Sequence, residues 1–388
     1  MPAFSDSLID PHSEFRQAML RRGLAFRTIA GIQYTQNMLD APVAPDAQVY
    51  VGERPFETSF VQPILAWDLR QLHLRRAQLY MGGVWNWASW EPAGPKSVQL
   101  WALYFYKEFG EDRAELKAGY IANNMNFVGL FVGGSTATGT LGVYAVLPYE
   151  AGMSYFPLTA PSFNLRIRGP KNTYIKSAAQ RSIDPEGGPA EVARNHSGFR
   201  FIPYGDKLVL INEGGYQRAA GKDARQAWFR AGYIDNSSQY RNETTGRLEA
   251  GDFCAYALMD GQLTQPDGEH PQRGIYAGAS FMSAPQAKNA YDRYYEVRMY
   301  KEAAFRSRPD DVISVVASRT GYSSAFTDKL VSQGKTTWRA STTLTGSYSL
   351  RVARGDYVSL GLGYDFGPAI SPRVPSALNA IVNWTLFF

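Results

Sequence analysis

Charged side chains set two residues apart, between apolar ones, are the most chemically suggestive feature of this chain. In Phe163-Asn164-Leu165-Arg166-Ile167-Arg168, an extended backbone puts both guanidinium groups on one side and the apolar side chains on the other. Glu115 and Lys117 stand in the same relation to Ala114, Leu116, Ala118 and Tyr120. Lys176, Glu213, Arg230, Glu296 and Arg298 recur inside similar segments, Arg200 sits between two phenylalanines, and Trp228 shares a face with Arg230. Arginine offers five donors in a planar fork, lysine three donors around a point charge, and carboxylates accept. Such a set can hold polar solutes.

Reaction chemistry is otherwise scarce. His12, His73, His196 and His270 lie far apart, and none has the spacing of a metal-binding pair. The serine in FVGGSTATG is not in a nucleophile elbow. SQGKTT ends like a phosphate loop, but Lys329 occupies the place of the required first glycine. GLGYDFG lacks the third glycine of a dinucleotide fingerprint, and Gly361 and Gly363 read as relief of crowding within a strand. Paired carboxylates of the glycosidase kind leave no positive sign here. A protein that is not an enzyme, with no cofactor and no metal, is the expectation.

The chain has 388 residues, 45% hydrophobic and 14% aromatic, with 36 glycines. Its mean hydropathy is −0.30, and no stretch approaches the roughly 18 apolar residues of a membrane-crossing helix. Basic and acidic residues number 40 and 35 and are scattered, which argues against a nucleic-acid partner. The single Cys254 excludes an internal disulfide framework and a cysteine-cluster metal site. The first residues, MPAFSDSLIDPHSEF, carry no basic and no apolar signal region, so the chain is either cytoplasmic or lacks a leader already removed.

One helix is expected near the start, over DPHSEFRQAMLRRG, where Phe15, Met19 and Leu20 have helical spacing. Beyond it the period changes to two. About eighteen alternating segments follow, many near the ten residues of a tilted membrane strand. They include VQLWALYFYKEF, TYIKSAAQ, KLVLINEGGY, RQAWFRAGY, GDFCAYALMD, YYEVRMY, TTLTGSYSLRV and DYVSLGLGY. Turn-forming stretches such as WEPAGPKS, DPEGGPAE, QPDGEHPQRG and FGPAISPRVP separate them. Long connectors, read at 182–196 and 236–250, alternate with short ones such as FGEDR.

Two all-β architectures fit this pattern. A soluble sandwich or propeller turns the apolar faces into a core; a transmembrane antiparallel β-barrel turns them to lipid around a polar lumen. The recurrence of mid-strand charge favours the barrel, and so does the last segment, NAIVNWTLFF. Val382, Trp384, Leu386 and Phe388 fall on one face, with Asn383 and Thr385 on the other. A hydrophobic strand running to the last residue must be paired and covered, and in a barrel it seals the sheet against the first strand.

In order, the segments resemble the carbohydrate-selective porin family (OprB type) of bacterial outer membranes. FRQAMLRRGLAFRTIAGIQYTQNML resembles its N-terminal helix and first strand, AWDLRQLHLRRAQLYMGG the next block, and LWALYFYKEFGEDRAELKAGY its strand–turn–strand unit. RPDDVISVVASRTGYSSAF and LNAIVNWTLFF are similar to a late turn with its strand and to the closing strand. The chain departs from the family at Thr342 and Thr345, where glutamates are usual, and at Leu360, Gly363 and Tyr364, near a usual proline and glutamine. Those losses remove groups able to hydrogen-bond a sugar.

The resemblance implies a barrel of sixteen strands, with two of the alternating segments in loops or a plug. It implies a leader once present, a site in the outer membrane, and passive diffusion of small sugars as monomer or homotrimer. Residues 1–23 would form a periplasmic helical segment and 24–388 the barrel. Arg166, Arg168, Lys176, Arg200, Arg230 and Arg298, with Glu115, Glu213 and Glu296 as partners and Trp228 as a stacking surface, would then build a constriction. The alternative for each charge is a salt-bridge ladder that stiffens the wall. A general or anion-preferring pore, an export-assembly barrel and a soluble carbohydrate-binding module remain alternatives for the whole chain.

Overall fold

Sixteen strands join in chain order into one closed sheet, each antiparallel to both neighbours. The computed structural model describes every residue except 1–5, 11, 40–42, 95, 129–145 and 202–206. Pro11 and the FVGGSTATG stretch therefore lie outside the described residues. The first half of the wall is β1 (Leu24–Asn37), β2 (Phe56–Asp68), β3 (Ala77–Ala88), β4 (Ser97–Phe109), β5 (Ala114–Ile121), β6 (Ala160–Arg168), β7 (Thr173–Arg181) and β8 (Leu208–Arg218). The second half is β9 (Ala227–Arg241), β10 (Leu248–Gln262), β11 (Gly274–Ser283), β12 (Tyr291–Glu302), β13 (Val312–Tyr322), β14 (Ala340–Ala353), β15 (Asp356–Phe366) and β16 (Ser376–Phe387).

Closure rests on the last residues. β16 lies beside β1 with Tyr34 opposite Val382 and Ala30 opposite Leu386. One step further, Thr28 and Phe388 exchange backbone hydrogen bonds at 3.1 and 2.8 Å. Val382 and Trp384 point outward, while Ala377, Asn379 and Ile381 are buried inside. The same alternation holds in β6, where Phe163 and Ile167 are 53% and 42% exposed on the outer face and Asn164 is buried on the inner one. An outer apolar surface with every sheet edge paired is what a lipid environment demands. No helix among the described residues is long and apolar enough to cross a membrane.

Before the barrel stands α1 (Glu14–Arg21), capped by the Ser13 hydroxyl, which accepts from the Arg16 amide. It ends at Gly23, whose φ of +75° turns the chain against Asp68 and into β1. Phe15 meets Phe26 edge to face at 6.3 Å, which sets the helix against the first strand.

One expectation about the connectors is corrected. Residues 236–250 are not a long loop: β9 continues to Arg241, β10 begins at Leu248, and only 242–247 connect them. Asn236 and Ser238 there are inward-facing strand positions, alternating with the exposed Ser237 and Gln239. Asn236 Nδ2 donates to the Ala151 carbonyl at 3.0 Å and to Ser182 Oγ at 2.8 Å. The long excursions are 122–159, with α2 (Val146–Glu150), and 182–207, with α3 (Gly188–Arg194). The described parts of the first, 122–128 and 146–159, pack inside the barrel.

Candidate solute site in the lumen

Connector 122–159 is pinned inside the wall by amide chemistry. Asn123 is fully buried, and its Nδ2 donates to Ser162 Oγ at 2.9 Å and Gln180 Oε1 at 2.8 Å. Asn164 Nδ2 donates back to Asn123 Oδ1 at 2.6 Å. Past this anchor, Phe127 and Val128 on the outgoing leg join Leu147, Ala151 and Met153 on the return. All five pack against Ile211, Ile234, Tyr256, Leu258 and Met282 of the inner wall. The lumen is thus narrowed from the side of β7 to β12 by an apolar cushion.

Beside that cushion lies a cavity of about 230 Å³, lined by Glu115, Lys117, Asn126, Phe127, Arg166, Lys176, Gln217 and Trp228. Strand alternation on β5, β6, β7, β8 and β9 supplies all of these except Asn126 and Phe127. Glu115 stands opposite Arg166 in the sheet, and Arg166 opposite Lys176. Arg168 bonds Glu115 closely, whereas Arg166 Nη1 is 3.9 Å from it. Arg166 Nη2 donates to Gln217 Oε1 at 2.9 Å, and its guanidinium lies 4.8 Å from the centre of the Tyr174 ring. Lys176 Nζ donates to the Asn126 carbonyl at 2.6 Å and pairs with Glu213 at 3.1 Å. Lys117 Nζ donates to Asn126 Oδ1 at 2.5 Å. Trp228 Nε1 donates to the Tyr174 hydroxyl at 2.8 Å, leaving the indole as an apolar surface on the cavity.

Other charges named from the sequence are buried. Glu213, 3% exposed, accepts from the hydroxyls of Tyr174 and Tyr256 at 2.8 and 3.0 Å. Gly232 makes room for this, because a Cβ there would come within 2.3 Å of the Tyr256 ring. Arg230 is buried with its guanidinium 3.5 Å from the Trp228 ring centre. Arg298 is held by Asp260 at 2.6 Å, Glu296 at 2.5 Å and Ser280 at 2.8 Å, and Glu296 also accepts from Tyr294. Arg298 and Glu296 are therefore elements of a buried wall network, whereas Arg230 reaches the connector through the Val128 carbonyl at 3.5 Å.

Arg200 is not on the lumen wall. It is exposed in connector 182–207, between Phe199 and Phe201, and Phe199 packs edge to face with Tyr120 at 6.1 Å. Its flanking aromatics imitate a strand face but dock a loop. Lys117, Asn126 and Gln217 line the cavity and were not among the constriction residues expected from the sequence. Lys117 shared the alternation of Glu115 and was legible; Asn126 depends on a connector whose path no local pattern reveals.

The family departures fall on a different stretch of wall. Thr345 is buried on the inner face, within a hydroxyl-rich surface that includes the Ser314–Ser347 and Ser349–Ser359 pairs at 2.8 and 2.6 Å. Thr342 faces outward beside Arg319, and Leu360 is exposed on the outer face. This part of the wall offers neutral hydroxyls in place of charge.

A closed antiparallel barrel with an inward-folded connector and a polar, part-aromatic lumen is a porin, a channel of the bacterial outer membrane and not an enzyme. Residues 24–355 match the carbohydrate-selective porin, OprB family, and the chain belongs to it. The high-pH structure of Pseudomonas putida OprB superimposes with a TM-score of 0.83 at 14% identity, covering 100% of this chain and 99% of that one. The low-pH structure of the same protein gives 0.62 at 13% identity, with 100% of both chains covered. Salmonella typhi OmpF, in a complex with daunomycin, gives 0.57 at 9% identity, over 95% and 99% of the two chains. Comparison with curated proteins by sequence found no significant match.

Proposed function

We propose that the barrel carries mono- and disaccharides across the outer membrane by passive diffusion, with the lumen cavity as the point of sugar contact. Residues 24–388 form the channel and 1–23 a periplasmic segment at its mouth in this reading; monomer and homotrimer are both compatible with it. The carrying observation is the cavity, which donors and acceptors from Glu115, Arg166, Lys176, Asn126 and Gln217 line together with Trp228. A sugar presents hydroxyls around its edge and C–H groups on its face, so this arrangement meets both. Each contact is one hydrogen bond or one ring face, and the site stays weak enough for the solute to leave.

Single channels in planar bilayers test the reading. Glucose is expected to add brief interruptions to the ion current of the wild type. Trp228→Ala, with the ring removed, should raise the half-blocking glucose concentration by about tenfold, a loss of the order of one aromatic contact. Unchanged block in a correctly folded Trp228→Ala channel would remove the cavity from sugar recognition.

A further inference from the structure

We infer that the lumen cavity prefers monosaccharides bearing a carboxylate, the uronic and aldonic acids, over neutral ones. This rests on the sugar-channel reading and names the substrate class of the same site.

The charges around the cavity do not balance. Lys117, Arg166 and Lys176 line it against one carboxylate, Glu115. Glu115 is bonded closely by Arg168 and stands 3.9 Å from Arg166. Glu213 compensates Lys176 at 3.1 Å and is closed off behind two tyrosine hydroxyls. Lys117 forms no ion pair among the described residues, and its hydrogen-bond acceptor is the neutral amide of Asn126. Residues 129–145, beyond Asn126 on the same connector, contain no Asp or Glu that could neutralise it. Arg166 donates to neutral Gln217, and its buried Nε has no hydrogen-bond partner. Two cations thus border one small cavity with less negative charge than they can use.

A buried or half-buried cation short of a counter-charge favours an anionic occupant. A carboxylate accepts from an ammonium and a guanidinium in short, charge-assisted bonds that a hydroxyl only partly replaces. The geometry adds a ring requirement: Trp228 offers a face to C–H groups, and Gln217 and Asn126 offer amides to hydroxyls. A uronate uses all three features. Acetate uses the cations without the ring face, and glucose meets the cations only through neutral hydroxyls.

The test is block of chloride current through the full-length channel in planar bilayers by glucose, glucuronate and acetate. Glucuronate is expected to half-block at about tenfold lower concentration than glucose, the increment of one hydrogen bond to a charged group over a neutral one. Acetate should be weaker than glucuronate. Lys117→Gln and Arg166→Gln should each bring the ratio of glucuronate to glucose block, measured in the same variant, close to one, and heat-modifiable gel mobility shows that each variant is folded. Glucose block without a glucuronate advantage overturns this inference and leaves the sugar channel standing. An advantage that survives in both folded variants removes the preference from this cavity. Block by acetate and glucuronate alike, with none by glucose, overturns the sugar-channel reading itself.

Discussion

Arg166 and Arg298 carry the same guanidinium on inward positions of the same barrel, yet their surroundings give them opposite work. Arg298 is enclosed by Asp260, Glu296 and Ser280 and meets no solvent. Arg166 borders a cavity and is held by one neutral amide and an aromatic face. Removing one member of a buried ion pair strands its partners, at a cost of roughly 3–5 kcal/mol. Arg298→Leu should therefore lower the thermal midpoint of the folded barrel steeply, with two carboxylates left uncompensated. Arg166→Gln, on a surface that water reaches, should cost at most about 1 kcal/mol and change permeation instead. Equal unfolding midpoints for the two variants would contradict this division. The sequence did not distinguish the two residues, because both alternate with apolar neighbours; what separates them is the partners that neighbouring strands bring to each, Asp260 and Ser280 for Arg298 and Gln217 for Arg166.

At the scale of elements, the strands were legible and the connectors were not. Alternation in β6, β14 and β16 follows from the chemistry of a wall with lipid on one side, so it appears in every strand. The connector read at 236–250 differs for the opposite reason: a run of polar strand residues such as Asn236, which donates to Ala151 of connector 122–159, looks like a loop when read alone. That connector is also where pH acts. Burial, with Asp252 nearby, raises the carboxyl of Glu150 in α2 to about 8, partly offset by hydrogen bonds from the Tyr291 and Ala290 amides. Part of its surface still meets the lumen, and screening there moderates the energetic effect. A carboxyl raised in the folded state favours the docked connector most below its ordinary value of 4.5, and that contribution fades as pH climbs towards 8. Hydrogen exchange over residues 146–153, corrected for intrinsic rates, should accordingly be faster at pH 8.5 than at pH 5, and Glu150→Gln should abolish the difference. Identical pH dependence in wild type and variant would rule Glu150 out.

For the whole molecule, a formal net charge of +5 and three cations around one cavity bias the pore towards anions. In a potassium chloride gradient the reversal potential should show chloride preference, and the preference should shrink between about 0.1 and 1 M salt as screening shortens the reach of these charges. A cation-selective pore at low salt would contradict the electrostatic picture. Closure was readable in the last strand, since an apolar segment ending in Phe388 has to be paired, and its partner is Thr28. Sugar preference was not readable in that way, because it depends on side chains from five strands and one connector meeting in space.

The most direct test of the central claim is swelling of liposomes holding the purified full-length channel, with monosaccharides, disaccharides and non-sugar solutes of matched size. Uptake of monosaccharides faster than of equally small neutral amino acids is the result expected of a carbohydrate-preferring lumen. Rates that follow size alone would contradict that claim and reduce the protein to a general pore.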